Sequence, residues 1–152
     1  QLSNISMSTT NIYLNFKNQT EAAFMFYKSV FGGEFEGDGI SRFGDMPSQG
    51  EGPSLSEEDK RLVMHVTLPI LGGVKLMGTD APRSMGFDLV MGNNVHISLH
   101  PDTRGDTERL FAALSEGGRV VMPLQEMFWG DYFGSCVDKF GVYWMFNCES
   151  KV

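Results

Sequence analysis

Cysteine, histidine and positive charge are all scarce in this chain of 152 residues, and each scarcity closes off a class of function. The two cysteines, Cys136 and Cys148, fall in no metal-binding or redox spacing, so they read as reduced thiols and not as a staple or a zinc site. No apolar run approaches the roughly 18 residues that a membrane-spanning helix needs, and no signal-peptide pattern is present. The expectation is a cytoplasmic protein without a membrane partner. Lys and Arg number 12 against 19 Asp and Glu, a net charge of −7. That balance argues against nucleic acid, whose phosphates demand a basic face. It is compatible with a cationic small ligand. Glycine-rich nucleotide loops are missing too: none follows a strand.

What is present is a chain long enough for one domain with a core of its own. Its 18 glycines imply many turns and a strand-rich fold. Residues 1–10, opening QLSNIS before Met7, are expected to form a disordered tail or expression remnant. Asn11 to Phe16 (NIYLNF) alternates with the period of a strand. Asn18 stands three residues before Glu21, the spacing of a capping box, ahead of a helix bearing Ala23, Phe26, Tyr27 and Val30 and ending at Gly32-Gly33. A second strand is expected within Glu34 to Phe43. Residues 44–60 (GDMPSQGEGPSLSEEDK) read as a long mobile surface loop. Leu62 to Ile70 alternates again, Gly72-Gly73 turns the chain, and Val74 to Met77 supplies a fourth strand. Residues 81–93 read as a connector.

The pattern then restarts. NVHISL (Asn94–Leu99) echoes NIYLNF at an offset of 83 positions, a helix with Asp102 or Thr103 near its start follows, and Gly117-Gly118 ends it. The glycine pairs are 85 positions apart, which implies two extra residues in the second strand–helix loop. Phe128 to Asn147 (FWGDYFGSCVDKFGVYWMFN) reads as a hairpin about the turn Asp138-Lys139-Phe140-Gly141, and Gly141-Val-Tyr-Trp-Met echoes Gly73-Val-Lys-Leu-Met. Each half is strand, helix, strand, strand, strand. The expected fold class is α+β, with two tandem βαβββ modules at 11–80 and 94–148 forming a curved, cup-like mixed sheet with helices on its outer face.

The segments YLNF with EAAFMFYKSVFGGE, VMHVTLPILGGVKLMGTD, HISL and LSEGGRVVMPLQEMFWGDYFGSCVDKFGVYWMFN resemble the vicinal-oxygen-chelate superfamily of glyoxalases, bleomycin-resistance proteins and extradiol dioxygenases. Within it they are most similar to the PhnB-like branch, also labelled as 3-demethylubiquinone methyltransferase-like. The resemblance implies a homodimer and a site in the cup, where related enzymes hold a divalent metal as Lewis acid. It places the four possible metal ligands at Tyr13, Met77, His96 and Met145. Of these only His96 is an ordinary ligand, since a neutral phenol and two thioethers suit neither hard nor borderline cations. The expectation is therefore no metal cofactor, with a divalent ion at a rearranged site around His96 as the alternative.

Strand parity extends the set. Asn15, Ser98 and His100 share the face of Tyr13 and His96, while Tyr143 and Asn147 join Met145. His65 and Thr67 fall there too, because Met64, Val66 and Leu68 must pack under the helix. The expected ligand pocket comprises Tyr13, Asn15, His65, Thr67, Met77, His96, Ser98, Trp129, Phe133, Tyr143 and Met145. If the protein is catalytic, His96 would act as base with Tyr13 or Tyr143 as proton donor, in a glyoxalase-like lyase, isomerase or dioxygenase-related reaction. That catalytic reading is the alternative; the leading expectation is a small-molecule-binding protein of this fold with a degenerate metal site, sequestering or modifying a small ligand.

Overall fold

Alternating apolar residues give most strands one face that packs and one that does not, and the computed structural model follows that division, except in Arg119–Glu126, which is exposed on both faces; it describes residues 7–47 and 54–152. The first half runs β1 (Ile12–Phe16), α1 (Thr20–Phe31), β2 (Ser41–Arg42), a short α2 (Glu57–Arg61), β3 (Val63–Pro69) and β4 (Lys75–Asp80). The second runs β5 (Ile97–Leu99), α3 (Arg104–Ser115), β6 (Arg119–Glu126), β7 (Tyr132–Val137) and β8 (Tyr143–Cys148). The strands make two four-stranded sheets of matching order, β1-β4-β3-β2 and β5-β8-β7-β6. In each, the first and last strands pair in parallel and the other pairs are antiparallel. The α+β class and the paired βαβββ modules are as expected.

The two halves match more closely than their sequences suggest. Both β3–β4 and β7–β8 close through the same turn: Ile70 N donates to Val74 O at 2.8 Å, and Asp138 N to Val142 O at 2.9 Å. Met77 therefore matches Met145. Met77 pairs with Tyr13 and Met145 pairs with Ser98, so Tyr13 matches Ser98 and not His96. The first strands are thus offset by 85 positions, the same as the glycine pairs, and no extra residues enter the second strand–helix loop. A slip of two residues leaves every side chain on its own face, so alternation alone cannot detect it.

One core serves both modules. Val66, Leu68, Leu76 and Gly78 lie under α1, and a Cβ at Gly78 would stand 2.4 Å from the Phe24 ring. Ile97, Leu99, Cys136, Trp144 and Phe146 form the corresponding layer with Leu110 and Leu114 of α3. Tyr27 of α1 crosses between modules. Its ring meets Trp144 edge-on at 5.6 Å, and its hydroxyl donates to Asp138 Oδ2 at 2.6 Å. Trp144 Nε1 donates to the same oxygen at 2.9 Å. Burial and the neighbouring Asp138 charge push the Tyr27 phenol far above its ordinary range.

Three local expectations need correction. Asn18 is not the cap of α1: it adopts φ 60°, and Glu21 binds Arg42 at 2.8 Å instead. The buried carboxylate of Asp80, arriving from β4, accepts from Thr20 N at 3.1 Å and from Thr20 Oγ1 at 2.7 Å. The stretch 44–60 is not all loop. Ser56 caps α2 by accepting from Asp59 N, with acids in the first turn and Lys60 and Arg61 in the last, matching the helix dipole; residues 48–53 of this stretch lie outside the described residues. The second strand shrinks to Ser41–Arg42.

Candidate functional site

With α1 and α3 covering one face of each sheet, the opposite faces carry the candidate site. On the first sheet, Tyr13, Met77 and Thr67 form one row across β1, β4 and β3. Asn15 pairs with Thr79 in the next row. His65 Nε2 lies 2.8 Å from Thr67 Oγ1, and its ring is 5.9 Å from that of Tyr13. Thr67 is buried, whereas Tyr13 is half exposed.

The matching row on the second sheet is Ser98, Met145, Ser135 and Met122. Toward one end His96 meets Tyr143 edge-on at 5.2 Å. Toward the other, Gln125, Phe133 and Asn147 form a row and Trp129 stands 6.4 Å from Phe133. His100 bonds Ser98 at 3.0 Å.

The expected pocket residues thus separate into two groups. Tyr13, Asn15, His65, Thr67 and Met77 belong to the first sheet; Ser98, Phe133, Tyr143 and Met145 belong to the second, with His96 just before β5 and Trp129 in the β6–β7 turn. Among the described residues no ring contact or hydrogen bond joins His96 to Tyr13: Tyr13 has His65 as its aromatic neighbour, and Tyr143 is the tyrosine beside His96. A surface cleft of about 400 Å³ lies at one end of the second face, lined by Met91, Gly92, Asn93, Val137, Gly141 and Tyr143. The contribution of the connector, through Met91 to Asn93, was missed from sequence because that segment carries no strand or helix signal. Ser135, Met122 and Asp131 were missed as well, although the β7–β8 register could have delivered Ser135.

The matched positions of the two rows now read Tyr13 and Met77 in one module, Ser98 and Met145 in the other. A phenol, a hydroxyl and two thioethers do not fit a divalent metal. Among the described residues no three His, Cys, Asp or Glu side chains gather where one ion could bind them. His96 stands one same-face position away from the matched row, beside Tyr143.

The fold is that of the glyoxalase/bleomycin resistance protein/dioxygenase proteins, whose solved members from Burkholderia phytofirmans and Frankia share it at low identity. More narrowly, the chain belongs to the family described as 3-demethylubiquinone-9 3-methyltransferase, whose profile matches residues 8–146. It is 31% identical to protein YjdN of Escherichia coli over 89% of this chain and 91% of that one. The crystal structure of PA1353 from Pseudomonas aeruginosa is 36% identical and superposes with a TM-score of 0.78, covering 94% of this chain and 98% of that one. The PhnB protein of Bacillus cereus is 25% identical with a TM-score of 0.69, covering 93% and 99%.

Proposed function

We propose that the protein binds a small organic ligand on its open sheet faces, without the metal that related enzymes use as Lewis acid. The observation that carries this reading is the matched pair Met77 and Met145, each at the centre of an open-face row with hydroxyl-bearing neighbours. Thioethers flanked by Tyr13, Thr67, Ser98 and Ser135 make an apolar floor with a few polar groups, the usual make-up of a ligand surface. The family's descriptive name speaks of methyl transfer. Neither strand–helix loop, Lys17–Gln19 nor His100–Thr103, contains a glycine to approach a nucleotide cofactor, which favours binding over that chemistry.

A homodimer belongs to the same reading. Both open faces, the connector residues Phe87, Val90 and Met91, and Val95 just beyond them expose apolar side chains that a second copy would cover.

A thermal-shift screen of a broad small-molecule library tests the binding reading. Saturable stabilisation, lost in Met77→Lys or Met145→Lys, is the expected result, and a flat response across the library would sink the proposal. Elemental analysis after exposure to Ni, Zn or Fe(II) tests its metal-free half. Stoichiometric retention that disappears in His96→Ala would replace this reading with the metal-dependent lyase or isomerase alternative. The contact of His96 with Tyr143 is what favours that second reading, as an acid–base pair.

A further inference from the structure

The tip of the β6–β7 hairpin breaks the usual rule that turns are polar. It is closed by Gly130 N donating to Met127 O and Met127 N donating to Asp131 O, both at 2.8 Å. Its two central residues are Phe128 and Trp129. Phe128 is 97% exposed and Trp129 is 49% exposed, their rings at right angles with centroids 4.9 Å apart. Trp129 reaches back to Phe133 on the open face of the second sheet at 6.4 Å. Nothing in the core requires these rings: they pack on one another and on the rim of the sheet.

Beside them stands a carboxylate without a cation. Asp131 is partly buried, and Asn147 Nδ2 donates to its Oδ2 at 3.0 Å. No Lys, Arg or His forms an ion pair with it among the described residues. Lys151, a basic side chain that reaches this turn from the end of the chain, is engaged elsewhere, donating to Gly130 O at 2.6 Å and to Glu126 at 3.2 Å. Arg104 is held by Glu126 and by the Tyr132 ring, and Tyr132 alternates with Phe133 onto the opposite face. Aromatic faces attract cations through the ring quadrupole, and an unpaired carboxylate next to them sets the same sign of preference.

We propose that this turn and the adjoining sheet face form a site for an organic cation, an ammonium group carrying apolar substituents, with Trp129 and Phe133 supplying ring faces and Asp131 balancing its charge. The proposal rests on the reading of the open faces as ligand surfaces and names the class of ligand for the second of them. The chain's charge of −7 draws such a ligand toward the protein. Asn147 acts as a positioning residue that fixes the carboxylate.

The two tryptophans make the test direct. Trp144 is fully buried, so a ligand at the turn is reported by Trp129. The full chain is titrated with choline and, separately, with 3,3-dimethyl-1-butanol, in which carbon replaces the charged nitrogen. The expected result is a saturable change in Trp129 emission with choline, and binding of the neutral isostere weaker by about tenfold. Asp131→Asn should weaken choline binding by a similar factor, Asp131→Glu should retain it, and Trp129→Phe should remove the signal. Equal response to the isostere, or choline binding untouched by Asp131→Asn, overturns the proposal. So does Trp129 emission that follows protein concentration and ignores choline, since that marks a subunit contact. If choline fails while the library screen finds a ligand lost in Met145→Lys, the cation site falls and the binding function stands. If both are silent, both fall.

Discussion

Four donors converge on one buried side chain, Asp138. Tyr27 Oη and Trp144 Nε1 share Oδ2, and the backbone N–H groups of Phe140 and Val142 share Oδ1. Removing the carboxylate strands a phenol and an indole N–H away from water, so Asp138→Ala should cost about 3 kcal/mol, read as a lower urea midpoint. Asp138→Asn, which keeps an acceptor, should cost less. Nearby, burial and then the Asp138 charge push the Cys136 thiol up to about 11, against a smaller lowering by a hydrogen bond with Ser115. The folded state thus favours the protonated thiol, and its contribution is complete below the unfolded value. Stability should fall as pH rises from about 9 to about 11, measured by urea unfolding in wild type and in Cys136→Ala, where this part of the fall is missing. Both buried cysteines should resist alkylation at neutral pH until the protein unfolds.

At the scale of the elements, the two glycine pairs that end the helices look alike but do different work. Gly33 has φ 79° with open space around it, whereas a Cβ on Gly118 would stand 2.1 Å from the Val137 carbonyl oxygen. Gly33→Ala should cost about 1 kcal/mol of backbone strain. Gly118→Ala should cost about 2 kcal/mol or more, because a carbonyl in a paired strand cannot step aside. Comparing the two urea midpoints checks the order. The glycines themselves were legible in the sequence, as was the hairpin at Asp138–Gly141. Less legible was anything fixed by distant pairing. Asp80 capping α1 is a contact between residues 60 positions apart, and local spacing offered Asn18 in its place. The true partner of Tyr13 in the repeat, Ser98, was hidden because alternation fixes the face and leaves the register free. For the candidate site this meant that side-chain orientations were legible, but not how they would be grouped. α2 is a different case, since Ser56 and the flanking charges announced it within a segment whose polarity suggested only loop.

For the molecule as a whole, the exposed apolar connector and open faces set the expectation of self-association. Sedimentation velocity should give a dimer at micromolar protein, and Val90→Asp with Met91→Asp should shift it toward monomer; a wild-type monomer at every concentration would contradict the homodimer. Among the described residues no helix is long and apolar enough to cross a membrane, in keeping with the sequence. The contact between Tyr27 and Asp138 has a further meaning in terms of descent. Two copies of one unit with identical hairpins imply a duplicated ancestor, yet the positions matching Asp138 and Trp144 in the first copy are Ile70 and Leu76. The bridge thus exists on one side of the repeat only, and it ties the second copy to the helix of the first. Residues 94–152 expressed alone should show no cooperative urea transition, because Trp144 would lose the Tyr27 and Phe31 rings that cover it. Cutting the chain between its two copies should therefore not return a stable single unit.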